Sequence, residues 1–218
     1  MIGSTFVASE ALKHFFILPG AITHDENEAL DRYLSSLPIL SEGEVDRKQQ
    51  FAFARPVYDG VEVTARAEAA AGDPIWVGER FVRGVSVPVQ LMEALGRANR
   101  AVSEIPYAEV GVDPPEAPLS SVYVDWYELG SFFVPHTDRV GYGPVVAGLS
   151  VGKGVITMRW SDGGVVHDVV IEPRSLYLFC GPIRYEPWTH SVIEVTDRRF
   201  GITMRSRGAG HSQREESP

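Results

Sequence analysis

Leu30, Tyr33, Leu34 and Leu37 recur at i, i+3, i+4 and i+7, the stripe of a helix buried along one face. The spacing predicts a helix over Asp25–Leu37, capped by Thr23 or Asp25 and ended by Pro38. A second stripe, Leu91, Leu95, Ala98 and Val102, begins just after Pro88 and predicts a second helix. The apolar run Phe15–Leu18, cut by Pro19-Gly20, reads as a strand or a lead-in. Between the helices, residues 42–87 read as extended segments punctuated by Gly and Pro, with Phe51, Phe53, Val57 and Tyr58 marking a hairpin or a loop. From residue 119 the period changes. Short β-rich runs follow one another at Ser121–Leu129, Val145–Val151, Val155–Trp160, Val165–Glu172, Ser175–Cys180 and Phe200–Arg205, most of them separated by Gly or Pro. Many short strands at this spacing predict a sandwich or barrel.

The expected fold class is therefore mainly β with flanking helices (α+β). At 218 residues the chain is long enough for one structural domain with its own core. Its expected parts are residues 1–118 with the helices and extended segments, a β core over 119–207, and a polar, disordered tail over 208–218.

Composition narrows the function. Hydrophobic residues make up 44% and charged residues 22%, which excludes disorder across the whole chain. Twenty-nine acids against twenty bases give a net charge of −9, so the basic footprint of a phosphate-backbone binder is missing. Cys180 is the only cysteine, which excludes an intrachain disulfide and a Cys-based zinc cluster. The expected compartment is cytoplasmic, and the run Phe15–Leu18 is too short for a secretory signal core or a membrane span.

Three pieces carry chemistry. In His136-Thr137-Asp138 the imidazole and the carboxylate are two residues apart, on one side of an extended chain, where they can share a metal ion. A surface turn after Pro135 is the plain alternative. His190, within Trp188-Thr189-His190, gains meaning only as a third corner. Two histidines and one carboxylate make a face with open positions that suits non-haem Fe(II) oxygen chemistry; otherwise His190 is a packed core histidine. If Phe200–Met204 is a strand, Arg199, Gly201, Thr203 and Arg205 share one face and Phe200, Ile202 and Met204 the other. Two guanidinium groups separated by small residues are costly to bury unless an anion sits between them, and their planar forks match carboxylates. The alternative is an exposed edge strand with solvated arginines.

Taken in order, these pieces imply a small dicarboxylate beside iron, and the stretch Tyr123–Arg207 resembles the AlkB-like Fe(II)/2-oxoglutarate dioxygenases. The resemblance runs through Val124-Asp125-Trp126-Tyr127-Glu128-Leu129-Gly130, His136-Thr137-Asp138, Gly143–Ser150, Gly181-Pro182-Ile183-Arg184-Tyr185, Trp188-Thr189-His190 and Arg199 to Arg205. It implies a double-stranded β-helix, or jelly-roll, core. It implies Fe(II) on His136, Asp138 and His190, the distal carboxylate of 2-oxoglutarate on Arg199 and the Tyr127 hydroxyl, and Arg205 near the chelating end or the substrate. It also implies a dioxygenase that takes 2-oxoglutarate and O2 to succinate and CO2 while hydroxylating a C–H bond or oxidatively demethylating an N-methyl group. No catalytic residue beyond the metal centre is required. The family pattern has Asn where this chain has Asp125, a carboxylate that would oppose the co-substrate's own.

Family members act on alkylated nucleic acid, proteins, lipids or small molecules. The resemblance implies that residues 42–87 would be a substrate lid, with Arg47, Lys48, Arg55, Arg66, Arg80 and Arg83 among Phe51, Phe53, Tyr58 and Trp76. Tyr58 and Trp76 there, and Tyr185 and Trp188 beside His190, are the candidate substrate contacts; core packing is their alternative. The net charge of −9 favours a small-molecule or protein substrate and disfavours nucleic acid. An AlkB-type nucleic-acid demethylase and a non-catalytic β-barrel binding module are the alternatives. No membrane partner is expected.

Overall fold

The computed structural model describes residues 7–8, 12–36, 49–53, 57–58, 61–62, 74–77, 80–85, 89–116, 118–119, 121–138 and 142–207. The elements in chain order are β1 (Val7–Ala8), β2 (Phe15–Leu18), α1 (His24–Ser35), β3 (Gln49–Phe53), β4 (Val57–Tyr58), β5 (Val61–Glu62), β6 (Pro74–Val77), β7 (Arg80–Val85), α2 (Val89–Ser103) and α3 (Tyr107–Val110). They continue with β8 (Ser121–Tyr127), β9 (Phe133–His136), β10 (Tyr142–Gly152), β11 (Ile156–Ser161), β12 (Val166–Ile171), β13 (Leu176–Cys180), a 3-10 turn (Gly181–Arg184), β14 (Thr189–Val195) and β15 (Arg199–Arg207). Leu37, the Leu that closes the first stripe, and the tail 208–218 lie outside the described residues.

The strands form a nine-stranded sheet in the order β1-β2-β13-β10-β15-β8-β3-β7-β6, a four-stranded sheet in the order β12-β11-β14-β9, and the small pair β4-β5. Within the nine-stranded sheet, alternation sorts side chains between two cores. One face sends Val122 and Val124 of β8, Val145, Ala147 and Leu149 of β10, Leu176 and Leu178 of β13, and Phe200, Ile202 and Met204 of β15 against the helices. Leu30 and Leu34 of α1 and Leu91, Ala94, Ala98 and Val102 of α2 cover that face, so the helical stripes meet the sheet they were spaced to meet. The other face meets the four-stranded sheet. Phe15, Tyr127, Val146, Tyr177 and Phe179 pack there against Ile156, Met158, Trp160, Ile171 and Val192. Residues 15–18 therefore complete the large sheet, with β2 antiparallel to β13.

The helices are fixed by local chemistry. Thr23 caps α1: its hydroxyl accepts from the Glu26 backbone N–H at 3.2 Å, and Glu26 accepts from the Thr23 N–H at 2.7 Å, a capping box. Glu26 also pairs with Arg97 of α2. Asn27 clips α1 to the end of β10, accepting from the Gly152 N–H at 3.0 Å and donating to its carbonyl at 3.1 Å. Gly152 pairs with Arg199, so the clip holds the end of the sheet that bears that arginine. Among the described residues, no helix is long and apolar enough to cross a membrane.

Candidate active site

The site lies between the two sheets. His136 ends β9 and His190 is the second residue of β14, and the two are direct partners across that strand pair. Their rings lie 4.2 Å apart between centroids. Aromatic packing fixes both. Phe133 meets His136 edge-on at 4.4 Å, Trp160 stacks on His190 at 5.7 Å, and Phe179 approaches His190 edge-on at 5.2 Å. The Val134 carbonyl lies 3.0 Å from His136 Nδ1. With the proton on Nδ1, Nε2 carries the lone pair that a metal takes.

Asp138 follows two residues after His136 and is buried. Its Oδ1 accepts from Arg205 Nη2 at 2.9 Å, and its Oδ2 lies 3.8 Å from Arg184 Nε. Burial by itself raises the carboxyl's pKa. The charges of Arg205, His190 and Arg184 outweigh burial and hold it well below the usual carboxylate range. Arg184 is fully buried in the 3-10 turn, where it donates to the Gly143 carbonyl. Among the described residues, no three His, Cys, Asp or Glu groups converge at metal-binding distance. The two imidazoles are brought together, and the carboxylate beside them is engaged by arginine.

On β15 the alternation is as the sequence predicts. Phe200, Ile202 and Met204 enter the helix-side core, while Arg199, Gly201, Thr203 and Arg205 line the cavity between the sheets. Asp125, Tyr127, His136, Tyr177 and His190 line the same cavity. Arg199 is 0% exposed, and among the described residues its Nε and Nη1 have no hydrogen-bond partner. Its Nη2 donates to the Phe200 carbonyl at 3.4 Å. Burial lowers its pKa, while the neighbouring Tyr177, Tyr127 and Asp125 work the other way. Tyr127 faces Arg199 across the β8–β15 pair. Burial pushes the Tyr127 hydroxyl well above its ordinary value, and pushes that of Tyr177 up to about 12, so both stay protonated donors at neutral pH. The Asp125 side chain is buried, lines the cavity and accepts from the Thr203 hydroxyl at 3.3 Å.

Two residues escape a sequence reading. Tyr177 sits in Leu-Tyr-Leu-Phe-Cys, a run apolar on both faces, with nothing to mark its hydroxyl. The usable signal is its partner across the sheet, Gly148: a Cβ built there would lie 2.0 Å from Tyr177 Cζ, so the tyrosine ring lies across the space a side chain would fill. Arg184 follows a Gly-Pro turn and carries no signal of burial. Tyr185 and Trp188 do not line the cavity. Tyr185 packs beside the Arg184 guanidinium, and Trp188 stacks on His167 at 6.1 Å. Tyr58 and Trp76 belong to β4 and β6, and their side chains lie outside the described residues.

The sequence matches no protein-family model and no curated protein. Solved structures match the fold. OsALKBH1 aligns with a TM-score of 0.53 at 14% identity, covering 88% of this chain and 98% of its own. A prolyl-4-hydroxylase from Pseudomonas putida aligns at 0.52 and 16% identity, covering 89% and 92%. An oxidoreductase of the 2OG-Fe(II) oxygenase family from Burkholderia pseudomallei aligns at 0.52 and 15% identity, covering 88% and 83%. With two mainly antiparallel sheets enclosing paired histidines and a buried arginine, and with these neighbours, the chain has the AlkB-like jelly-roll fold of the 2OG-Fe(II) oxygenases.

Proposed function

We propose that the chain is an Fe(II)- and 2-oxoglutarate-dependent dioxygenase. The observation that carries this reading is Arg199, a fully buried guanidinium with two nitrogens unpaired among the described residues, in the cavity that the His136–His190 pair also lines. A buried cation in this state is costly unless an anion completes it, and its planar fork suits a carboxylate. The donor set of two imidazoles and one carboxylate suits a ferrous ion with open positions. His136 and His190 would hold the metal, and Asp138 would join them by exchanging part of its arginine pairing for the metal's charge.

The residues then have separate tasks. Arg199 and the protonated Tyr127 bind the distal carboxylate of 2-oxoglutarate, and Arg205 orients Asp138 near the chelating end. Trp160, Phe179 and Phe133 pack against the imidazoles and keep water from their sides. The bound iron and co-substrate supply the oxidising chemistry: 2-oxoglutarate and O2 become succinate and CO2, and one oxygen atom enters a substrate C–H bond. An N-methyl carbon hydroxylated in this way is lost as formaldehyde; any other carbon keeps the hydroxyl. No side chain is assigned a proton-transfer role. The substrate class in this reading is a small molecule or a protein, and the compartment is the cytoplasm.

Anaerobic addition of Fe(II) and 2-oxoglutarate is expected to give a weak visible charge-transfer band, and His136→Ala is expected to abolish it in a protein that remains folded. Folded wild-type protein that gives no band defeats the reading. Asp125 favours a second reading, a binding module with no turnover, because it places a carboxylate in the pocket meant for an anion. That reading expects ligand binding without succinate formation.

A further inference from the structure

Asp125 and Arg199 face the cavity on either side of Gly201. The strand register pairs Gly201 with Asp125 and Arg199 with Tyr127. A Cβ built on Gly201 would lie 3.6 Å from Tyr127 Cε2, 3.9 Å from Arg199 Nη2 and 3.9 Å from Asp125 Cβ, so the missing side chain leaves a space bounded by the tyrosine ring, the cation and the acid. The Thr203 hydroxyl holds Asp125 Oδ2 at 3.3 Å, fixing the carboxylate on the cavity side of β8. Asp125 and Arg199 are both nearly or fully sequestered from water, where charges act on one another with little screening.

We propose that Asp125 is a specificity-determining residue of the co-substrate pocket: it takes up part of the Arg199 charge, so that the distal carboxylate of 2-oxoglutarate binds against a partly neutralised cation. This inference rests on the oxygenase reading above. Its consequence is a pocket that distinguishes poorly between a charged and a neutral distal end. An incoming dicarboxylate must share Arg199 with a fixed carboxylate and also meets that carboxylate's repulsion. A 2-oxo acid with an uncharged tail gives up the arginine's full attraction but avoids the repulsion. In Asp125→Asn the shape is kept, the negative charge goes, and the amide can donate to the ligand.

The test is anaerobic titration of the Fe(II)-loaded protein with 2-oxoglutarate and with its 5-methyl ester, reading the visible band and the heat of binding. In the wild type, 2-oxoglutarate is expected to bind less than about tenfold more tightly than the ester; in Asp125→Asn, 2-oxoglutarate is expected to bind about tenfold or more tighter than it does in the wild type, with the ester little changed. An Asp125→Asn protein that folds and binds 2-oxoglutarate within twofold of the wild type, or more weakly, overturns the proposal. The wild-type ratio decides independently of any folding defect in the variant: preference for the dicarboxylate by a hundredfold or more also overturns it. Failure of the wild type to bind either ligand defeats the oxygenase reading and this inference with it, whereas wild-type binding with an unresponsive variant defeats the inference alone.

Discussion

At the scale of single residues, the site depends on arginine geometry. Arg199 lines the cavity with a planar fork whose Nε and Nη1 are unpaired among the described residues. Lysine would return the charge as a single point and could not match both carboxylate oxygens. Arg199→Lys is therefore expected to raise the 2-oxoglutarate concentration needed for half-maximal succinate release by roughly tenfold, and Arg199→Ala by roughly a hundredfold or more, converting about 1.5 to 3 kcal/mol for a charge-assisted contact. Equal half-saturation in Arg199→Ala and wild type would remove Arg199 from the co-substrate site. The Arg199–Arg205 face was legible because an even separation on a strand puts both side chains on one side, and the apolar residues between them left no other orientation. The His-x-Asp spacing was legible as a pair of donors but not as a geometry. Whether Asp138 faces the imidazoles or an arginine depends on Arg205 and Arg184, 67 and 46 residues further along the chain, and local pattern does not carry that information.

The elements explain why those side chains are precise and where pattern reading stops. β10 is hydrogen-bonded to β13 on one side and β15 on the other, and Gly148 lies at its centre, paired with both Tyr177 and Thr203. Tyr177 crosses the face of β10 at that glycine. Gly148→Ala would put a methyl 2.0 Å from the ring carbon, so the ring must swing away from the cavity wall it forms. Overpacking of this kind costs about 1–3 kcal/mol, and the variant is expected to melt several degrees lower and to bind 2-oxoglutarate more weakly. A melting temperature unchanged from wild type would mean that Tyr177 has another place to go. The helices and the strands at 121, 145, 156, 166, 176 and 200 followed from periodicity because each buries one face or lies within a sheet. β9 and β14, the strands that present the two histidines, did not stand out. β9 contains Pro135, which removes a backbone donor and reads as a turn; it is tolerated because β9 is the edge of its sheet. In β14, His190, Ser191 and Val192 are buried in succession around a register shift, so strict alternation is lost where His190 sits.

For the molecule as a whole, the open question is what reaches the cavity, and net charge bears on it directly. The chain carries −9, and residues 101–150, which supply His136 and Asp138, contain seven acids and Arg139 as their only base. The two bases that touch Asp138 are committed inward, Arg205 by its hydrogen bond and Arg184 by complete burial, so neither is presented to a polyanion at the surface. Salt shortens electrostatic reach to roughly 8 Å under physiological conditions, which leaves an acidic surface repelling a phosphate backbone at the distances where docking is decided. A flipped base would also need phosphate contacts beside the pocket. The segment 42–87 interleaves bases and aromatics, but its eight acids outnumber its six bases. A small molecule or an extended peptide meets neither obstacle. Succinate release is therefore expected to rise with methylated peptides or amino-acid-like metabolites and to stay at its uncoupled level with methylated oligonucleotides. Measured across 50 to 200 mM salt, a nucleic-acid substrate neutralising several phosphates would lose activity by orders of magnitude, whereas a neutral or singly charged substrate would change little. Stimulation by oligonucleotides alone, with that steep loss, would show that a local basic surface overcomes the charge of the whole chain, and would assign the substrate to alkylated nucleic acid.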